Sequence, residues 1–562
     1  MIKLGLTSGI HDTSASLVID GVIVAVGEEE RFNRKKHTGE FPVNAIQFCL
    51  ERAGIKIGDV DEVCVGMKWS ERAQVRLDMR MKFADTSELK EQVKAQATED
   101  MKRHDEVSKI LTETFGYAGK ITFYDHYDCH ASSCYFPSEF NHAAILILDG
   151  AGERASARIY KATETKLESV FQIDYPNSIG RFYGWITDYL GFQIDCDEGK
   201  VMGLASYGDL SLVDQMSKLV AISKDGSYQL DYSYFGFIRD NRQGFTPKFY
   251  EMFGPKRNKN EEITQHHMNV ARAAQAALEE VVVGMVKLAK ELTGEDNLCL
   301  SGGVALNSVA NGKILESGLF KNIYIYPAAG DAGTGIGAAL YAYYSAQSNK
   351  VTHLENQSAY LGYESNDGEI LKALANSQLK YSTPTNLYEE TASLLVQNKV
   401  VGWFQGRAEV GPRALGNRSI LANPALAGNK DRVNNKIKFR ESFRPFAPSV
   451  LSEYAKEYFE MRGADSPYMI MAFNTKEDKR NKIPAVVHVD GSARVQTVTK
   501  EQNEKYFELI EEFNRQSSIP MLLNTSFNKA GEVLVNTPEQ AIAAFLGSEL
   551  DVLVIDKYLI QK

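Results

Sequence analysis

Two stretches of the chain repeat one strand–turn–strand plan, and this repetition limits the fold more than any other feature. Near the start, Ile2–Thr7, Ser14–Ile19 and Val22–Glu28 alternate in a strand-like way, with Asp20-Gly21 between the second and third runs. Asp-Gly at that place is a strong hairpin signal, because a two-residue turn needs positive φ. The plan returns further on: Ala143–Asp149 is an apolar, buried-type strand, and Ala155–Lys161 and Leu167–Ile173 are its expected hairpin partners. Each unit carries a polar loop after its first strand. The reading is an internally duplicated α/β fold whose paired loops can approach a phosphate from two sides.

Helical segments lie between these strands. Glu71–Phe115 is long, charged and expected to be mostly helical. Gln265–Thr293 sets Met268, Val270, Ala271, Ala274, Leu278, Val281, Val282 and Met285 at helical spacing. A strand, Asn297–Ser301, then runs into Gly302-Gly303 and another helix. The composition turns polar over Ser345–Thr385, and from Glu389 a second α/β pattern runs to a final strand at Val552–Ile555. The expected division is a first domain over 1–350, a linker region over 351–384 and a second domain over 385–562. A chain of 562 residues has room for two large domains with sizeable cores.

Bulk properties exclude some classes of function. A net charge of −10 argues against a general nucleic-acid partner, which needs a basic face. The longest apolar stretches, such as Ala143–Leu148, are far short of a membrane span, and the opening MIKLGLTSG has no signal-peptide core, so no membrane partner is expected. The six cysteines form no CxxC pair, which points to reduced thiols and a cytoplasmic location. There is no GxSxG elbow.

Four stretches can carry chemistry. In Asp125-His126-Tyr127-Asp128-Cys129-His130 the two histidines are four apart, which on a helix puts both imidazoles on one face, as a shared metal requires. The other reading is two histidines hydrogen-bonded separately. Asp149, at the end of a buried strand, and Asp331, in a glycine-rich loop, can complete a shell that suits iron, manganese or zinc better than magnesium. Ser301-Gly302-Gly303 and Gly330-Asp331-Ala332-Gly333-Thr334-Gly335 either bring a nucleotide close to the backbone or are tight structural turns; neither fits Walker A. Arg407, Arg413, Arg418, Lys430, Arg432, Lys436, Lys438, Arg440 and Arg444 interleave with Phe439, Phe443 and Phe446, a mixture closer to a polyanion pocket than to a solvated helix face. His11, after the first strand, is placed to act as a general base, although Asp12 or Ser14 capping a turn explains the loop equally well. Glu28–His37 reads as a charged surface loop from which Lys36 and His37 can reach a ligand.

Taken in order, these stretches resemble the NodU/CmcH carbamoyltransferase family. The matching segments include HDTSASL, EEERFNRKKHTGEFP, DHYDCHASSCYFPS, LILDGAGE, GKVMGLASYG, SGGVALN, GDAGTGIGAA, GRAEVGPRALGNRSILA, IKFRESFRPFAPSVL and LLNTSFNKAGEVLV, which together cover nearly the whole chain. The resemblance implies an N-terminal actin/sugar-kinase-like (ASKHA, TsaD-like) domain and a C-terminal YrdC-like α/β domain. It implies that the second domain makes carbamoyl-adenylate from carbamoyl phosphate and ATP with Mg2+. The intermediate then passes internally to the first, where iron (Fe2+) or a similar transition metal assists transfer to the hydroxyl of a small-molecule alcohol acceptor. By matched position, His126, His130, Asp149 and Asp331 hold the metal, Gly150, Gly302, Gly303 and Asn307 the nucleotide, and His11 and Lys36 lie near the acceptor and the transferring carbamoyl. Arg413, Lys438, Arg444, Arg494, Asn524 and Ser526 hold carbamoyl phosphate and ATP. A homodimer is compatible with the sequence. The alternatives are a tRNA threonylcarbamoyl-type transferase, which the net charge disfavours, and a non-catalytic nucleotide-binding regulator, against which the basic cluster and the histidine pair argue.

Overall fold

The computed structural model describes residues 1–240 and 242–562. They divide into two compact units, one of Met1–Glu29 with His37–Gln357 and one of Glu30–Lys36 with Ser358–Lys562.

In the first unit, β1 (Ile2–Thr7), β2 (Ser14–Ile19), β3 (Val22–Glu28), β4 (Glu62–Val65) and β5 (Lys120–Phe123) form a sheet in the order β3-β2-β1-β4-β5. The first three strands pair antiparallel, and β4 and β5 add in parallel. Asp20 and Gly21, at φ of 50° and 87°, make the tight turn that their sequence calls for. Next, β6 (His142–Leu148), β7 (Ala155–Thr163) and β8 (Lys166–Asp174) form a second antiparallel meander. A separate two-stranded sheet pairs β9 (Val220–Ile222) with β10 (Tyr228–Leu230). Finally β11 (Asn297–Ser301) and β12 (Asn322–Ile325) add in parallel to give β12-β11-β6-β7-β8. The two five-stranded sheets thus share one order, and the duplication expected of an actin/sugar-kinase-like α/β domain is present strand for strand.

Between them, the helix Thr334–Tyr344 packs on β1 and on the helix His126–Tyr135. Glycine makes that contact close. A Cβ on Gly5 would fall 1.8 Å from the Gly335 carbonyl, and one on Gly337 1.8 Å from that of Cys129. The segment expected as one long helix is two, Trp69–Met81 and Ser87–Phe115, because Thr86 caps a new start by accepting from Leu89 N–H at 3.2 Å. Among the described residues no helix is long and apolar enough to cross a membrane.

The second unit is built on one seven-stranded mixed sheet. Its strands are β13 (Val401–Phe404), β14 (Arg418–Ala422), β15 (Ala447–Leu451), β18 (Gln496–Val498), β19 (Met521–Ser526), β20 (Val552–Ile555) and β21 (Tyr558–Gln561). The order is β18-β15-β19-β14-β13-β20-β21, and β16 (Ala472–Asn474) pairs separately with β17 (Ser492–Arg494). Trp403, Leu421, Leu451, Phe513, Leu522 and Val554 fill the core beneath the helices Leu387–Val396 and Glu504–Ser517. Burying each such side chain contributes about 1.5–3 kcal/mol. The chain does not stop at β20 as the sequence suggested: Asp556, at φ 48°, turns it into β21, with Ile555 opposite Tyr558. Within 351–384 the structure has a helix at Asp367–Ser377, opened by a capping box between Asn366 and Glu369.

The charged stretch 28–37 is not a surface loop. It carries a short helix, Glu29–Asn33, in which Glu29 and Arg31 are buried. Arg31 donates to the Gly411 carbonyl at 2.9 Å, and Arg34 donates to the carbonyls of Leu534 and Val533, each at 2.7 Å. These charges are spent on backbone acceptors, so their density does not mean exposure.

Candidate active sites

In the first unit, four side chains distant in sequence converge. Asp125 caps the helix His126–Tyr135 by accepting from the N–H groups of Tyr127 and Asp128 at 2.9 and 3.1 Å, which fixes His126 and His130 one turn apart. Asp149 follows β6. Gly303 N–H donates to its Oδ1 at 2.8 Å, and Gly302 has φ 92° and so little space that a Cβ would meet the Leu148 carbonyl at 2.2 Å. Asp331 is held by the opposite hairpin: Thr7 donates to its carbonyl at 3.0 Å and accepts from Gly335 N–H at 2.9 Å, and Ser14 donates to the Ala332 carbonyl at 2.7 Å. Thr7 and Ser14 thus set the position of a loop more than 300 residues away.

The ring protons show what this cluster can hold. His126 Nδ1 faces the Gly66 carbonyl at 3.0 Å, an acceptor only, so Nδ1 carries a hydrogen and Nε2 is the nitrogen left to face the cluster. His130 Nδ1 lies 3.1 Å from Ser301 Oγ, whose own hydrogen goes to the Ala329 carbonyl, so the same assignment holds. The two Nε2 atoms face each other at 3.2 Å. Asp149 lies 3.5 Å from His126 Nε2, and one Asp331 oxygen lies 3.5 and 3.4 Å from the two rings. Two Nε2 atoms and two carboxylates, nearly all buried, leave an uncompensated negative potential. Burial opposes charge on His126, yet the two aspartates outweigh it and raise its pKa well above the usual value; the site draws in positive charge. All four ligand atoms lie within 4.8 Å of one another. Donors about 2.1 Å from one cation in a tetrahedral shell lie about 3.4 Å apart, so the residues fit a transition metal.

His11 stands beside this cluster. Its Nδ1 pairs with Asp12 at 2.9 Å, and its Nε2 is 3.7 Å from the second oxygen of Asp331. Asp12 also holds His37 at 2.6 Å. Burial lowers the His11 pKa, but the hydrogen bond to Asp12 and the charge of Asp331 outweigh it and raise it to about 9. Gly150, Gly302 and Gly303 line the turns around Asp149. Asn307 is mostly internal: it caps the helix Ser308–Ser317 and exchanges hydrogen bonds with Gln275 at 3.0 and 3.2 Å.

The second unit gathers cations. Lys438 ends a π-helical turn, Val433–Lys438, and donates to the Ser526 carbonyl at 2.6 Å, to Ser526 Oγ at 3.0 Å and to Asn528. Burial, and then the charges of Arg440, Arg444 and Lys36, hold its pKa well below the usual lysine value. Burial with Arg444 lowers Arg413 to about 10 and Arg440 to about 9, and burial with Arg413, Arg440 and Arg444 depresses Arg494 further. Arg413, Arg440 and Arg494 are nevertheless half-buried rather than sealed, the condition of groups that line a recess. Glu441 and Glu532 offset part of the charge. Glu409 shapes the segment carrying Arg413 by accepting from the N–H groups of Leu415, Asn417 and Arg418 at 2.8, 2.7 and 3.0 Å. Asn524 is fully buried and donates to the Ala414 carbonyl at 3.1 Å and Ser449 at 3.0 Å, so it braces that segment from below.

Lys36 falls in the second unit, where its charge bears on Lys438. Arg440 and Asn528 join the cluster although sequence reasoning did not select them as site residues; the signal for Arg440 was its place in the basic run. The rest of that run disperses. Arg418 is buried against the carbonyls of Gln405, Gly406 and Tyr363, Arg407 donates to the Leu361 carbonyl, and Arg432 and Lys436 pair with Asp551 and Glu549.

Two family profiles match the chain, one described as carbamoyltransferase N-terminus over residues 2–340 and one as carbamoyltransferase C-terminus over 392–562. Nodulation protein NolNO of Sinorhizobium fredii is 36% identical, with all of this chain and 83% of that protein aligned. Nodulation protein U of Rhizobium tropici is 30% identical over 93% of this chain and 90% of its own length. An uncharacterized protein of Synechocystis sp. is 38% identical over all of this chain and 96% of its own.

Proposed function

The chain belongs to the carbamoyltransferase family, and on that premise we propose that it makes carbamoyl-adenylate from carbamoyl phosphate and ATP in its second unit and transfers the carbamoyl group to an alcohol in its first. The observation that carries this reading is the pair of opposite charge imbalances: a buried cluster of histidines and carboxylates in one unit, and Arg413, Lys438, Arg440, Arg444 and Arg494 in the other.

A carbamoyl group is a poor electrophile because nitrogen donates into its carbonyl. Water releases inorganic phosphate from carbamoyl phosphate, and the carbamate oxygen then attacks the α-phosphorus of ATP and expels pyrophosphate. The resulting bond to AMP supplies a good leaving group. Both starting substrates are phosphates, and crowded guanidinium forks and one lysine suit them. Burial first, and mutual repulsion second, depress Arg494 and Lys438, and bringing a polyanion among them offsets both. Lys438, tied to Ser526 and Asn528, is placed to steady negative charge that builds on the adenylyl phosphate and the departing pyrophosphate. We assign Asn524 a positioning role, through the segment it braces.

In the first unit, His126, His130, Asp149 and Asp331 would hold a metal ion, which when bound would supply Lewis-acid polarisation of the carbamoyl oxygen. His11 is oriented through Nδ1 by Asp12. Against burial, Asp12 and Asp331 raise its pKa to about 9, so it must first lose its Nε2 proton, which a cation held by Asp331 would favour. Nε2 can then take the proton of the attacking hydroxyl. Gly302 and Gly303 let a nucleotide approach the backbone.

The test is exchange of labelled pyrophosphate into ATP by the full-length protein. Exchange should depend on carbamoyl phosphate and fall about a hundred- to a thousand-fold in Lys438→Ala. Exchange without carbamoyl phosphate, or full exchange in Lys438→Ala, contradicts the reading.

A further inference from the structure

Arg72, Arg76 and Arg80 recur every four residues along the helix Trp69–Met81 and share one face of it. That face does not meet water freely: Arg72 and Arg80 are buried and Arg76 is half-buried. Arg80 is engaged by Gln96. The other two meet guanidiniums from elsewhere in the unit. Arg72 and Arg103, the latter from the helix Ser87–Phe115, lie over the Trp69 ring at 4.9 and 5.2 Å and share the carboxylate of Asp100 at 3.5 and 3.3 Å. Arg76 makes long hydrogen bonds to the carbonyls of Ala151 and Gly152, at 3.3 and 3.2 Å. Arg181, from the helix Ile179–Tyr189, pairs with Asp195 at 3.1 Å.

Four guanidiniums thus face Asp100 and Asp195 directly, and Asp149 adds its charge at Arg181 alone. A further acid, Glu153, is committed to the backbone N–H groups of Lys68 and His126, at 2.8 and 3.2 Å. The buried Nη1 of Arg72 and the Nε of Arg76 have no hydrogen-bond partner, and Arg72 Nε has only the long ion pair to Asp100 at 3.5 Å. A buried charged donor without an acceptor is costly, and its persistence calls for a ligand that supplies one. Burial, and then Arg72, bring the pKa of Arg76 down to about 9, and burial lowers that of Arg72, whereas at Arg181 Asp195 outweighs burial and raises it, so the shortage of negative charge lies at Arg72 and Arg76.

The group adjoins the histidine–aspartate cluster. Ala151 and Gly152 follow Asp149-Gly150 directly, and a Cβ on Gly152 would lie 3.3 Å from His126 Cβ. A Cβ on Gly150 would lie 3.5 Å from Arg181 Nε, and one on Gly9, in the loop that carries His11, 2.7 Å from Trp69 and 3.2 Å from Arg103. Three of the four arginines come from, or sit between, the elements linking β4 to β6, whereas the glycine turns at 302–303 and 330–335 belong to the other half of the unit. A ligand seated on the arginines therefore reaches the cluster from different elements than one lying on the glycine turns.

We propose that Arg72, Arg76, Arg103 and Arg181 form a seat for an oxyanion carried by the acceptor, a phosphate, sulfate or carboxylate on the molecule whose hydroxyl is carbamoylated. The inference rests on the transfer reading above and narrows its acceptor to anionic alcohols.

Selenate is the probe, and AMP separates an acceptor's oxyanion from the phosphate of the adenylate. Equilibrium binding of both is measured with full-length protein in an Arg494→Gln background, which weakens the competing anion recess of the second unit. Adding Arg76→Gln should weaken selenate about tenfold or more and leave AMP unchanged. Arg76→Lys keeps the charge but loses the planar fork, so its selenate affinity should fall between the two. Unchanged selenate binding in Arg76→Gln overturns the seat. Parallel weakening of AMP overturns its assignment to the acceptor. If wild-type protein shows no carbamoyl-phosphate-dependent exchange, the underlying reading fails whatever selenate does.

Discussion

The cluster around His126 and the cluster around Lys438 solve opposite electrostatic problems. In the first, Nε2 atoms and carboxylate oxygens face inward at 3.2 to 3.5 Å with their other hydrogen-bonding positions already committed to Gly66, Ser301 and Gly303. In the second, Arg413, Lys438, Arg440, Arg444 and Arg494 crowd one another, with Glu441 and Glu532 as partial counterweights. Neither arrangement is comfortable alone, and each states the sign of what it takes: a cation in one, a polyanion in the other. Buried polar groups that the fold leaves unmatched are a better guide to ligand chemistry than groups that it satisfies.

The comparison breaks most sharply if the two sites are not separable. His126→Ala combined with His130→Ala should abolish carbamoyl transfer to the acceptor and leave carbamoyl-phosphate-dependent pyrophosphate exchange at the wild-type rate. Loss of exchange in that variant would tie the two chemistries together. A smaller effect, about a hundredfold, is expected for His11→Asn on transfer of supplied carbamoyl-adenylate, at the lower end of what a general base contributes. Transfer at the wild-type rate would leave His11 a turn-capping residue. The smallest effect concerns the scaffold. Asp125→Ala removes the cap over the histidine helix and the partner of Arg158 at 2.8 Å, and should cost about 1 kcal/mol. Calorimetry should show the transition of the first unit lowered by about 2 °C or less, with that of the second unit unmoved; a shift in both transitions would deny the units their independence.

Much of the first unit was legible because its signals are local. Asp20-Gly21 specifies its own turn, and the meander β6-β7-β8 repeats the plan of β1-β2-β3. The spacing of His126 and His130 is likewise a local fact. What puts Asp331 beside them is not: Thr7 and Ser14 reach it across 324 and 318 residues of sequence, and no periodicity encodes such a bond. The basic run taught the same lesson in reverse. Its cations look alike in sequence, yet Arg418 and Arg407 serve backbone carbonyls and Arg432 serves Asp551, partners that come from other segments. The charged stretch 28–37 misled for that reason too, since Arg31 and Arg34 satisfy carbonyls near 411 and 534.

Metal content tests the opposition between the two clusters most directly. Elemental analysis of anaerobically purified full-length protein should find about one transition-metal ion per chain, as four converging ligands for a single ion require. Lys438→Ala should keep that ion, and His126→Ala with His130→Ala should lose it. Full metal in the histidine variant, or loss of metal in Lys438→Ala, would contradict the account.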